Sequence, residues 1–404
     1  MTLSGRFAAA GATVLALVPF VMALANRSSP LLVGLAALLF LAAALAEDRA
    51  EARLLLLSPL RKPLGLTALA FLAWCCVSFA WTPFPEASAR SAREFLPTLV
   101  AAYILARLAP GRLPAFAAPL AAASLVAASL LIIVGLSTGL PVQRALGQRV
   151  AEFVFNRPAL TNLLIAGPLA LVLIGRGRRL LAAITLALAA AGILRSVSGA
   201  AAMGLLAGAA MFGFSRLLPA RWGIGLAGLG LGLAVALAPI EGDLLRQVMP
   251  EAAHERLVQS SSRARVAIAR SFGAAVAADP WRGAGYGVSA RFAEAPAAAE
   301  VEPELRAMLA VGHPHNSFLQ VWVELGIVGA VLAGLVLMLM LRALVALPPG
   351  PRATALALVA AAAAVAFVEH GAWQAWWTAG LGVAISWLRQ GLLPRNVYSE
   401  RNNS

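Results

Sequence analysis

Apolar stretches of about 17–20 residues recur along nearly the whole chain, and that pattern decides most of what it can become. A helix of this length crosses hydrocarbon with its backbone groups bonded to one another, which a bilayer demands. Of the 404 residues, 61% are hydrophobic and 12% charged, about half the charged share of an ordinary soluble chain. The expected fold is all-α: a polytopic integral membrane protein of about 12 transmembrane helices with one large periplasmic loop. The candidate spans are roughly 7–25, 30–46, 64–81, 94–108, 114–136, 158–175, 180–195, 199–215, 222–239, 322–342, 353–370 and 372–388. Asn26-Arg27, rather than a small-residue cleavage site, follows the first run, so that run is expected to remain as a span.

Charge orients the bundle. With the N-terminus inside, 17 Lys and Arg residues fall on inner loops and 7 on short outer loops, which is the basic bias of cytoplasmic loops. The other eight lie in the loop 240–314, together with nine acids, so that loop is no basic patch. The expected organisation is helices 1–9 over 1–239, a helical periplasmic loop domain over 240–321, and helices 10–12 with a cytoplasmic tail over 322–404. A second outer segment, 137–157, carries Val142, Leu146, Val150 and Phe153 at helical spacing. It reads as an amphipathic helix lying in the interface, with a plain connecting loop as the alternative. Lys62 is the single lysine beside 31 arginines. That excess fits either a codon preference or phosphate recognition by the planar guanidinium. Cys75 and Cys76 are adjacent within an apolar run and read as packing residues.

The segment 311-VGHPHNSFLQVWVELGIVGA-330 holds the most distinctive chemistry. Pro314 disfavours helix at His313, so a helix can begin near His315 or Asn316, where head groups meet hydrocarbon. An imidazole there can accept the proton of an attacking hydroxyl; the blander reading is a histidine bonded to a loop carbonyl. His-x-His can hold a metal in principle, but no Asp or Cys cluster accompanies it, and no metal is expected. Glu324 would be costly near the membrane if unpaired, and either an arginine or interfacial water is expected to serve it.

Upstream, 260–287 predicts a helix capped by Ser261 or Ser262 and ending before Asp279-Pro280. Arg263 and Arg270 share one face. Arg265 instead lines up with Ala269, Phe272 and Val276, and an arginine on an apolar face is either paired with an acid or aimed at an anion. Gly283, Gly285 and Gly287 follow as G-x-G-x-G. No strand precedes them and no Walker lysine exists, so nucleotide binding is not supported. Arg195, between two spans, is either an interfacial side chain or a phosphate clamp. Trp373, Trp376 and Trp377 crowd the outer end of the last span beside Glu369 and His370, as an aromatic belt or a sugar-stacking wall. There is no D-x-D pair.

His313, His315, Asn316, Leu319, Glu324, Leu325 and Gly326, with the run from Arg265 through Asp279-Pro280 to Gly283-Ala284-Gly285, resemble the O-antigen ligase and O-antigen polymerase superfamily. The resemblance implies an inverting, metal-independent glycosyltransferase at the periplasmic face of the inner membrane, without a cofactor. Its donor would be a glycan on undecaprenyl diphosphate. In the preferred ligase branch the acceptor would be lipid A-core, as in lipopolysaccharide biosynthesis. His315, Arg265 and Arg195 would be catalytic. His313, Asn316, Arg263, Arg270, Trp373 and Trp376 would bind substrate, with membrane lipids around the protein and no nucleic acid partner. One departure stands out: the family often has Ser-Arg-Gly where this chain has Ser198-Gly199, so the role passes to Arg195 one helical turn earlier. A polymerase, a protein O-oligosaccharyltransferase and a non-catalytic transporter of lipid-linked glycan are the alternatives.

Overall fold

The computed structural model describes residues 2–250, 255, 262–369 and 371–393. Ser261, His370 and the polar tail 394–404 lie outside the described residues. Helices occupy nearly all of the described chain, with no strand among them. In order they are α1 (Leu3–Leu24), α2 (Ser29–Glu47), α3 (Arg49–Leu57), α4 (Pro63–Val77), α5 (Pro85–Leu108), α6 (Ala117–Thr138), α7 (Pro141–Ala145), α8 (Asn156–Gly175) and α9 (Arg179–Arg195). There follow α10 (Gly199–Leu217), α11 (Ala220–Ala236), α12 (Glu241–Val248), α13 (Ser262–Ala278), α14 (Pro296–Glu300), α15 (Pro303–Arg306), α16 (Ser317–Leu344), α17 (Pro349–Val368) and α18 (Ala375–Gln390).

Each of the twelve apolar stretches coincides with a helix. Eight are long and apolar enough to cross a membrane unaided, and α11 with α12 forms a pair bent by 57° that brings the number to nine. The remainder depart for visible reasons. Helices α9 and α18 have only 17 and 16 residues. Helix α5 runs 24 residues, because a polar N-terminal part carrying Glu86, Arg90, Arg93 and Glu94 extends the apolar run.

The core gathers around α8, whose Leu160, Leu164, Ile165 and Leu169 are fully buried. Helices α6, α9, α17 and α18 pack on it. Small residues set the closest approaches: a Cβ on Gly204 of α10 would meet Val365 of α17 at 2.8 Å. In lipid such packing takes the place of a hydrophobic driving force between helices.

The segment 137–157 is not one amphipathic helix. It contains only the five-residue α7, a turn at Gly147 with φ +64°, and a short 3-10 turn over Glu152–Phe155. Its glutamines explain why. Buried Gln143 and exposed Gln148 donate to the carbonyls of Ala23 (3.4 Å) and Leu24 (2.6 Å), the orphaned acceptors at the end of α1. Leu146, Val150 and Phe153 point outward instead.

Helix α16 starts five residues before the expected span and is broken at Gly326, where φ is 62° and ψ −163°. The turn 280–285 docks into this break and satisfies it. Ala284 and Gly285 donate backbone N–H groups to the Val323 and Glu324 carbonyls, at 3.0 and 2.8 Å. Ile327 N–H donates to the Pro280 carbonyl at 2.8 Å, and the Trp74 indole takes the Leu325 carbonyl at 2.9 Å. Interrupted helical backbone at membrane depth survives only when its groups are bonded again in this way. The G-x-G-x-G run therefore serves backbone docking.

Glu324 corrects the expectation of an arginine or water partner. It is fully buried and caged by neutral donors. Its carboxylate accepts from Gly287 N–H (2.5 Å), Ser289 N–H (3.2 Å), the Ser289 hydroxyl, Gln320 Nε2 (2.9 Å) and Trp373 Nε1 (2.6 Å). Short-range donors of this kind compensate a buried charge without a second ion.

A Cβ on Gly326 would lie 2.3 Å from the Trp281 carbonyl oxygen, in a backbone region that L-residues rarely adopt. Gly326→Ala is expected to cost at least about 2 kcal/mol through strain and lost docking. Thermal unfolding of the purified protein in detergent measures this; an unchanged midpoint would show that the break is not under constraint.

Candidate active site

The turn before α16 is built to hold two imidazoles. Gly312, at φ +96°, reverses the chain, and buried Pro314 fixes the next step. His315 then sits at φ +54°, one of two non-glycine residues with positive φ among those described. A left-handed histidine stores strain of about 1–3 kcal/mol that its surroundings must hold, and such residues concentrate at functional sites. Two contacts hold it. The His315 N–H donates to His313 Nδ1 at 3.1 Å, and Asn316 caps α16, its Oδ1 accepting from Phe318 and Leu319 N–H at 2.8 and 3.2 Å. The rings are 4.0 Å apart between centroids.

The first bond assigns the His313 tautomer. His313 Nδ1 accepts, so its proton is on Nε2. Burial, then the neighbouring His315 and Arg265, lowers its pKa to about 4, so it is neutral at physiological pH. His315 Nδ1 is buried without a hydrogen-bond partner among the described residues. Burial, then Arg265, lowers its pKa as well, while the Glu369 carbonyl opposes them.

Arg265 stands beside this pair. Its guanidinium is 4.0 Å from the Glu369 carboxylate, a loose contact between half-buried groups. Below it on α13, Ala269, Phe272 and Val276 are buried against the loop core, so the predicted apolar face exists and Arg265 crowns it. The carboxyl of Glu369 is raised by burial, with Arg265 pulling it down.

Helix α12 braces the arrangement from behind, and sequence reasoning missed it. The Asn316 amide donates to both oxygens of buried Glu241, at 2.7 and 2.6 Å. Next to it, Gly242 lets α12 touch the backbone of α13, where a Cβ would come within 2.3 Å of Arg270 N. Asp243 receives Arg270 at 2.8 Å. One short helix therefore ties the arginine helix to the histidine turn. The available signal was a pair of acids, Glu241 and Asp243, directly after a long apolar run.

The structure brings together His313, His315, Asn316 and Arg265. It places Arg263, Arg270, Arg195 and Trp376 elsewhere, whereas Trp373 shares a cleft with His313. Arg270 is engaged by Asp243, and Arg263 is exposed. Arg195 is exposed at the end of α9 and donates to the Leu136 carbonyl of α6 at 3.1 Å, with no bond to the histidine turn. Trp373 gives its N–H to Glu324, and Trp376 is buried with its N–H on Gln374 at 2.8 Å.

Two hollows flank the site. An apolar groove of about 740 Å³ runs between α10, α11 and α17, past Met211 and Leu231. It is bordered at its site end by Met203, Phe367 and Glu241. Phe367 precedes Glu369 by two residues, and Glu241 is the partner of Asn316. A polar cleft of about 440 Å³ lies against His313, between the start of α5, the 287–291 turn and the 371–374 turn.

Residues 184–334 match the family model described as O-antigen ligase. The matched stretch contains α9 to α13, the histidine turn, Glu324 and Gly326. That stretch supports a relation to the O-antigen ligase and polymerase superfamily. No curated protein matches the chain. Together with the apolar helices, the family match supports a multi-pass membrane protein with a ligase- or polymerase-type function in glycan assembly, and the family implies a lipid-linked glycan and an acceptor.

Burial pushes the Glu241 carboxyl up to about 7 from 4.5, although the Asn316 amide pulls it down. Between those values the folded state keeps a proton that the unfolded chain has lost. Stability from this group is complete below about pH 4.5 and is lost as pH rises to about 7, a change on the order of 3 kcal/mol. His313 acts in the opposite sense, losing stability as pH falls from 6.5 to about 4. Glu241→Gln keeps an acceptor for Asn316 and removes only the first titration. Its melting temperature relative to wild type should rise by several degrees between pH 5 and 8; a constant difference would disprove the assignment.

Proposed function

We propose that this O-antigen ligase-type domain transfers a glycan from undecaprenyl diphosphate to a hydroxyl of lipid A-core, with inversion, at the periplasmic face of the bacterial inner membrane. The observation that carries the reading is the unpartnered His315 Nδ1 beside the Arg265 guanidinium, in a turn whose Asn316 is held by Glu241 of the apolar groove. The groove suits a polyprenyl tail, because hydrocarbon seated there leaves its diphosphate near Arg265. The acceptor oxygen attacks the anomeric carbon from the face opposite the diphosphate and gives its proton to His315 Nδ1. The bond from anomeric carbon to phosphate oxygen breaks, and the lipid diphosphate leaves with one more negative charge. A fixed guanidinium is most useful where charge develops. The scheme draws on no metal.

Within it, Asn316 and His313 keep His315 in its left-handed conformation. The geometry weights Arg265 over Arg195, whose side chain is committed to α6. The orientation predicted from the loop arginines puts the histidine turn on the periplasmic side.

Purified protein in liposomes, with undecaprenyl diphosphate-linked glycan and lipid A-core, tests the reading. His315→Ala should lower transfer about 10²–10⁴-fold and Arg265→Ala about 10²–10³-fold, whereas Arg195→Ala should have a smaller effect. Transfer to a repeat unit in place of lipid A-core would convert the reading to a polymerase. Lipid movement without any glycosidic bond would convert it to a transporter.

A further inference from the structure

The polar cleft has no role in the scheme so far. One wall is the start of α5, where Glu86, Arg90 and Glu94 stand at i, i+4 and i+8 and so share a face. These side chains are exposed, and they make no hydrogen bond or ion pair among the described residues. The opposite wall holds Trp373 and Gln374. His313 also lines the cleft; its Nε2–H has no partner among the described residues and its ring lies 4.0 Å from that of His315.

The chemistry of this lining narrows its ligand. Carboxylates accept from hydroxyl pairs, a guanidinium donates to them, and an indole offers a flat apolar wall to ring C–H groups. Acids outnumber cations. Glu86, Glu94 and the buried Glu324 stand against Arg90 and Arg291, the latter already held by Glu294, and His313 is neutral. A phosphate or carboxylate would need a surplus of cations, which the cleft lacks. The position matters too, because the cleft reaches His313 while the lining of the apolar groove includes none of the histidine turn.

We propose that this cleft binds the uncharged terminal sugar of the acceptor saccharide and delivers its hydroxyl to the histidine pair. The inference rests on the glycosyl-transfer reading above and adds a second substrate site to it. Glu94 and Arg90 grip ring hydroxyls, Trp373 backs the ring, and His313 Nε2–H orients the reacting hydroxyl toward His315. The groove and the cleft then keep donor and acceptor apart until they meet at the imidazole.

Saturation-transfer NMR on the full chain in detergent micelles tests binding apart from catalysis. The probes are methyl α- and β-hexopyranosides, with glucose 6-phosphate as the charged comparison. Wild type should transfer saturation to a methyl hexopyranoside and less to the phosphate. Glu94→Ala and Ala87→Trp, one removing a contact and one filling the cleft, should weaken binding about tenfold, as loss of a charged hydrogen bond does. Arg265→Ala should leave it unchanged. Both cleft variants are checked for wild-type thermal unfolding, and either one that passes decides the matter. The proposal is overturned if no hexopyranoside binds, if the phosphate binds better, if a folded cleft variant binds normally, or if Arg265→Ala abolishes binding. Failure of the transfer reading looks different: wild type binds sugar through the cleft yet forms no glycosidic bond.

Discussion

A buried carboxylate holds this structure together where it matters. Glu324 sits in the first part of a membrane helix with no ionic partner, and it is kept there by backbone, hydroxyl, amide and indole donors from three separate segments. Those donors belong to the 283–289 turn, to α16 itself and to the 371–374 turn. The same locality contains the helix break at Gly326, whose freed backbone groups are taken up by the 280–285 turn. Removing donors would leave a charge in a medium that cannot solvate it, which is why breaking such an arrangement costs several kcal/mol. The cage therefore fixes three chain segments relative to one another, and two of them form walls of the polar cleft.

The histidine turn depends on a second device. A left-handed His315 is unfavourable on its own, and it persists because its N–H is taken by His313 and its successor Asn316 is clamped at both ends. Glu241 supplies the outer end of that clamp from α12, which is also pinned to α13 by Asp243 and Arg270. Arg265 and His315 are fifty residues apart, yet α12 ties them to one body. The consequence is chemical. His313 Nδ1 is taken by the His315 N–H, and His315 Nδ1 is left without a hydrogen-bond partner among the described residues.

Much of this was legible in the letters. Periodic apolar runs placed every long helix, Pro314 and Asn316 placed the start of α16, and the apolar line Ala269–Phe272–Val276 singled out Arg265 among eight loop arginines. The errors have physical reasons. Val142, Leu146, Val150 and Phe153 suggested a helix, but Gln143 and Gln148 were needed to satisfy the open end of α1. Glu324 suggested an arginine because sequence shows charges and hides backbone donors. Trp373 looked like a belt residue, and its indole instead belongs to the carboxylate cage. Glu241 escaped notice because nothing in its local sequence points to Asn316, 75 residues away.

Sequence by itself settled what depends on neighbours along the chain: which segments are apolar and helical, and which side chains have chemistry to offer. Those follow from the cost of putting polar groups in hydrocarbon, which is paid residue by residue. Tertiary structure alone decided which ring nitrogen is free, which arginine stands beside it, and that a polar cleft reaches His313. Such properties come from close approach between segments far apart in the chain, and hydrogen-bond geometry falls off within a few tenths of an ångström, far finer than any spacing in a sequence can specify.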